Sequence, residues 1–241
     1  VTSFPEHRAQ SGVLMDRLVG LAGTPDDCAT IETDLIVVAQ VAATRIPAAD
    51  SASVTGRGRD GYETVAASSD LAVVADKAQY GDDAGPCLQA LTTGRPVATP
   101  LISATTAWPG LRETARQVGI RASLSIPLFT GSGRTVASLN LYSRRPGALT
   151  ALSTAICEAY DPQTAHGWDH DGLDDGEREM TAGVIGALAL RAMIQQAIRL
   201  LAADAPADPG SAYPRLRTRA AETGASLTDA AAQVIEEHQD R

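Results

Sequence analysis

The amino-acid sequence predicts an α+β fold, a mostly antiparallel sheet flanked by helices, followed by an all-α tail. Three observations carry this. Two pairs of alternating apolar and polar runs, each broken by a glycine-rich turn, read as β-hairpins with helical segments between them. From Glu177 the pattern changes to one long helical periodicity. After the break APADPG, two short segments with helix start and stop signals complete the chain. The first unit spans residues 1–176, the second residues 177–241.

In chain order, residues 3–21 form an amphipathic helix with Val13, Leu14, Leu18 and Leu21 at helical spacing. TPDD supplies the next start signal: Thr24 as N-cap, Pro25 at the first helical position and Asp27 three residues after the cap open a helix running to about Arg45. SASVTGRGRDGYETVAAS is the first hairpin, turning at residues 58–61, and RASLSIPLFT, GSGR and TVASLNLYSRR form the second. Helical runs lie between them at residues 71–80, 86–91 and 111–118. In the long helix, Met180, Ala187, Ile194 and Leu201 interleave with Gly183, Leu190 and Ala197 as an a/d seam, suited to dimerisation through residues 177–203 or to packing within the chain. Ser211 caps a helix that stops at Gly224, and Ser226 with Asp229 forms a capping box for the last one.

With 44% hydrophobic residues but only 4% aromatic, the core is expected to be Ala-, Val- and Leu-rich. The net charge of −9 excludes a global attraction to nucleic acid or anionic membranes and leaves only a local patch. Lys77 is the only lysine, so the chain is arginine-biased and arginine counts carry little weight. Cys28, Cys87 and Cys157 are widely spaced and odd in number, which fits neither a disulfide framework nor a zinc site and suits a reducing cytoplasm. No run is expected to reach the about 18 apolar residues of a membrane span, and the start VTSFPEHRAQ lacks a signal-peptide layout.

The stretch from Asp76 through Gln79, Tyr80, Gly85-Pro86-Cys87-Leu88, Ala90, Gly94 and Val97 resembles the GAF domain. Trp108-Pro109, Gly119, Ser123, Ile126-Pro127-Leu128 and Leu139-Asn140-Leu141-Tyr142-Ser143 continue the likeness in order. In the tail, Gln196-Ala197, Ala212-Tyr213, Leu216-Arg217, Ala220, Leu227, Asp229 and Ala231 resemble the ANTAR module. The whole is similar to GAF and ANTAR regulators common in actinobacteria. That resemblance implies a ligand-sensing domain joined by a signal helix to a three-helix module that binds paired stem-loops in nascent RNA and prevents transcription termination. No nucleophile–base pair or paired carboxylates stand out at recognisable spacing, so no enzyme activity is expected, and no cofactor is expected. Departures are Asp83-Ala84 in place of Gly-Glu, Gln89 in place of Asp, Ile198-Arg199 in place of Lys-Gly, Gly224-Ala225-Ser226 in place of a basic stretch, and an insert at about 146–175.

The candidate RNA contacts are Arg191, Arg199, Arg215, Arg217 and Arg219, with Arg215 and Arg219 one helical turn apart and Arg217 pointing away. A solvated helix surface has the same pattern. The candidate ligand pocket is Tyr80, Cys87, Leu88, Trp108 and Ser123. Cys87 at a helix start invites a lowered thiol pKa, while a small buried gap-filler is the competing reading. In the insert, His166 and His170 with Asp169, Asp171 and Cys157 suggest a metal or haem sensor, against the reading of a solvated acidic loop. A dimeric protein-interaction module without RNA binding is the remaining alternative.

Overall fold

The computed structural model describes residues 12–161, 172–204 and 208–239. The elements are α1 (Val13–Gly23), α2 (Ile31–Arg45), β1 (Ser51–Gly58), β2 (Gly61–Ala67), α3 (Asp70–Gly81), α4 (Pro86–Thr93), β3 (Val97–Thr99), α5 (Pro109–Val118), β4 (Ala122–Phe129), β5 (Thr135–Ser143), α6 (Thr150–Ala159), α7 (Asp175–Asp204), α8 (Ala212–Thr223) and α9 (Leu227–Gln239). The strands form one sheet of order β2-β1-β5-β4-β3, with every pairing antiparallel. Both hairpins form where the alternation places them; the short edge strand β3 had no periodicity long enough to reveal it.

Alternation sends Ala52, Val54, Leu124, Ile126, Leu139 and Leu141 to one face of the sheet, where all are fully buried against α1, α2, α6 and the start of α7. Each such Leu or Ile contributes about 1.5–3 kcal/mol by leaving water. A separate cluster joins Ile194, Ala197 and Leu201 of α7 to Ala212, Leu216 and Ala220 of α8 and Leu227, Ala230 and Val234 of α9. Helix α7 therefore belongs to both cores.

That double membership answers the question of the heptad seam. Met180, Ile194, Ala197 and Leu201 are buried within the chain, and Gly183 lies so close to α1 that a Cβ there would stand 2.8 Å from Leu18 Cδ1 and 2.9 Å from the Met15 Cα. The seam packs intramolecularly because α1, α8 and α9 fold back on it. By length and composition, α7 is also the one helix among the described residues that could cross a bilayer, at a mean hydropathy of 1.4. Its apolar stretch is nonetheless broken by Arg191, Gln195, Gln196 and Arg199, and the helix packs along α1 and α9.

Two expectations are corrected. Thr24 does not cap α2; it follows α1, its hydroxyl donating back to Gly20 O, and α2 starts only at Ile31 after a turn through Pro25 and Cys28. Ser211 stands at the head of α8 without capping it, its hydroxyl donating instead to Asp208 O. At the start of the insert, Leu149, Leu152 and Ile156 anchor α6 to the sheet core. The Ser226 and Asp229 box does form, with Asp229 N donating to Ser226 Oγ at 3.0 Å. A second box, unforeseen, opens α7: Glu177 N donates to Asp174 Oδ1 and Asp174 N to Glu177 Oε2. His166, His170, Asp169 and Asp171 lie outside the described residues, as do residues 3–11 of the first expected helix.

Candidate functional site

The opposite face of the sheet is the unusual one. Ser51, Tyr142, Ser123 and Thr99 stand in one row across β1, β5, β4 and β3, and Ser53, Asn140 and Ser125 form the next. Thr55 pairs with Ser138 in the row beyond. Alternation of this kind marks a solvated sheet face, yet all of these residues are buried, because α3 and α4 cover them.

Much of this polar face converges on Asp76 of α3, itself fully buried. Its carboxyl accepts hydrogen bonds from Tyr142 Oη at 2.6 Å, Ser53 Oγ at 3.0 Å, Thr64 Oγ1 at 2.9 Å and Asn140 Nδ2 at 3.4 Å. Burial raises its pKa to about 6, against the opposing pull of those four donors. Gln79, one helical turn on, donates to Tyr142 Oη and accepts from the Cys87 backbone N–H at 2.9 Å, joining α3 to the head of α4. Asn140 Nδ2 also donates to Thr55 Oγ1, and Tyr80 Oη bonds the hydroxyls of Thr55 and Thr64.

Four hydroxyls are left over. Ser51, Thr99, Ser123 and Ser125 are 5% exposed or less and have no hydrogen-bond partner among the described residues. Buried hydroxyls of this kind are uncommon and call for an explanation.

Of the sequence-derived pocket, Tyr80, Cys87 and Ser123 belong to this face or its cover, and Leu88 is buried in α4 beside Cys87. Trp108 is not part of it; it heads α5 and packs in a cluster with Leu111, Ala75 and the Tyr142 ring. Cys87 is fully buried, and burial pushes its thiol pKa up, with the neighbouring Asp76 adding to this, the reverse of the lowering that a helix start invites. In the sequence, Asp76, Gln79, Asn140 and Tyr142 stand out only as landmarks of the resemblance, and Ser51, Ser53, Thr55, Thr99 and Ser125 carry no mark of the site. The available signal was the regular Ser/Thr alternation in SASVT and ASLS, which on its own reads as surface.

The arginine set does not gather. Arg215 donates to Leu201 O, Arg217 pairs with Asp27, and Arg219 pairs with Glu237 of α9. The Arg191 guanidinium lies 4.0 Å from the Phe129 ring centroid. Arg199 alone makes no hydrogen bond, ion pair or ring contact among the described residues, and it is exposed. The acidic chain supplied internal carboxylate partners for two of these guanidiniums, which the spacing of the arginines could not show.

The sheet meets the tail at the turn between β4 and β5. Asp26 Oδ1 accepts from Thr130 Oγ1, Ser132 N and Tyr213 Oη, so one carboxylate holds both the turn and α8. Its pKa is lowered: burial pushes up, but hydrogen bonds from Ser132, Thr130 and Tyr213 prevail. Gln195 of α7 donates to Ser132 O, Gly131 N donates to Thr24 O, and a Cβ on Gly131 would collide with Leu227 of α9. Beside this junction an open cleft of about 720 Å³ lies between α1, α8 and α9.

Among solved structures, the chain is similar to a domain ascribed to a two-component sensor histidine kinase of Sinorhizobium meliloti 1021, at 20% identity over 71% of this chain and 93% of that one, with a TM-score of 0.39. A type II free methionine-R-sulfoxide reductase from Thermoplasma acidophilum matches at 11% identity over 61% and 92%, and the GAF domain region of a protein ascribed to the membrane of Geobacter sulfurreducens PCA at 15% over 60% and 93%, each with a TM-score of 0.39. No curated protein matches the chain. The GAF domain family profile matches residues 32–159, more than half of the chain, from α2 through the whole sheet to the end of α6. The chain therefore belongs to the GAF domain family.

Proposed function

We propose that this chain is a non-enzymatic sensor-regulator: a small molecule is read at the hydroxyl-bearing face of the sheet, and the helical tail is the output. The observation that carries the sensing role is the set of four buried, unpartnered hydroxyls on a sheet face otherwise organised around Asp76. In a purely structural face each would cost about 1–3 kcal/mol of unrecovered desolvation. The route to the output is short, because β4 and β5 carry Ser123, Ser125 and Asn140 at one end and the turn bound to Asp26, Gln195 and Leu227 at the other. A ligand moves the tail only if it prefers one arrangement of that junction. The test is retention of small molecules from a cell extract, read by mass spectrometry. A species held by the wild type and lost in the Ser123→Ala/Ser125→Ala double variant supports the reading, and identical retention by both removes it.

For the output, we retain control of transcription termination through RNA stem-loops. Its support is the ordered resemblance of the tail together with a compact three-helix arrangement that has a core of its own. Arg199 is the arginine best placed for phosphate, the other four being engaged within the chain. Self-association fits the outer face of α7, where Ala182, Ala189 and Ala192 are exposed and Ile185 half-buried at alternating three- and four-residue spacing. A gel shift with a two-hairpin leader RNA tests this output: binding that weakens as salt rises and on Arg199→Ala supports it, and no shift by the wild type overturns it.

A further inference from the structure

The polar face also constrains the chemistry of what it takes. We infer that the ligand is an uncharged, hydroxyl-rich molecule of about monosaccharide size, bound against Thr99, Ser123 and Ser125. The inference rests on the sensing role proposed for this face.

Charge is excluded from both sides. No Lys, Arg or His is buried among the described residues; Lys77 and Arg57 are exposed, the latter lying over the Tyr62 ring. A phosphate or carboxylate seated on the face would thus be buried without a counter-charge and near the Asp76 carboxylate, a like-charge arrangement costing several kcal/mol in a medium of low dielectric. A ligand cation finds no place either. A carboxylate offers about four lone-pair sites, and Asp76 already accepts from Ser53, Thr64, Asn140 and Tyr142. What stays open is neutral: each free hydroxyl can donate once and accept twice.

Size follows from the register. Thr99 and Ser123 are directly opposed across the β3–β4 ladder, and Ser125 is two residues along the same strand. Opposed side chains are about 5 Å apart and same-face neighbours along a strand about 7 Å, the span of a five- or six-carbon polyol or sugar ring. Helix α4 packs over β3, β4 and β5, so uptake lifts α4 from the sheet.

The test is calorimetric titration of the full chain with D-glucose, D-ribose and myo-inositol, each beside its monophosphate, and with D-glucosamine as the cationic counterpart. At least one uncharged member is expected to bind, at least tenfold more tightly than its charged counterpart and at least tenfold more weakly to the Ser123→Ala/Ser125→Ala variant. A charged member binding as tightly, and losing affinity in that variant, overturns the ligand class while leaving the site in place. Binding that survives the double substitution overturns the site itself. Failure of every uncharged member to bind overturns the inference. Circular dichroism of the double variant, expected to match the wild type, and a melting temperature expected to be no lower than the wild type's separate lost binding from lost fold.

Discussion

The two faces of the sheet are equally dry and are built on opposite principles. One buries Leu124, Ile126, Leu139 and Leu141 against α1, α2 and α7; the other buries Ser51, Ser53, Thr55, Ser123, Ser125, Asn140 and Tyr142 under α3 and α4. The apolar face gains stability from every methylene it hides. The polar face gains it only where a hydroxyl finds a partner, and it leaves four without one. Burial alone therefore does not identify a core. A dry face rich in unsatisfied groups has been kept for something other than stability.

The largest effect that can test this contrast is on the apolar side. Leu139→Ala is expected to destabilise by about 2–5 kcal/mol in urea unfolding, through lost burial and a cavity that the packed strands cannot collapse. Next is the pH profile. With the Asp76 pKa raised by burial from 3.8 to about 6, the folded state holds that proton more tightly than the unfolded chain. Its contribution to stability is complete below about pH 4 and declines by about 3 kcal/mol as pH rises through about 6. Asp76→Asn should flatten that part of the profile, and an unchanged slope would show that the carboxyl is not desolvated as described. Tyr142→Phe removes a donor to Asp76 and an acceptor for Gln79 and should cost about 1–3 kcal/mol. The last effect differs in sign. Ser125→Ala is expected to stabilise by about 1–3 kcal/mol, because it removes a buried hydroxyl whose desolvation no bond repays; a loss comparable to Tyr142→Phe would mean the hydroxyl is satisfied.

Legibility in the sequence followed the length and regularity of each signal. Both hairpins, α3, α4, α5 and the long helix could be read because periodicity and turn residues agreed locally. Helix α6 was missed because Leu149, Leu152 and Ile156 sit in a segment whose composition drew attention to its His and Asp residues. TPDD misled for a more instructive reason: its Asp26 serves the β4–β5 turn and Tyr213, partners more than a hundred residues away, so a pattern that resembles a local cap is a long-range clamp. At the site, Cys87 and Tyr80 were found through resemblance. The hydroxyl rows were not, because strand alternation reports which residues share a face and never what lies on top of it.

Since Met180 and Val184 complete the sheet core while Ile194, Ala197 and Leu201 complete that of the tail, a single helix is structural timber for two rooms. Truncation before Glu177 would strip the sheet of part of its interior, and expression of the tail from Ala212 onward would leave α8 and α9 without the wall they close on. Fragments for crystallography or for swapping into chimaeras should carry α7 entire, joined at its first turn behind Asp174.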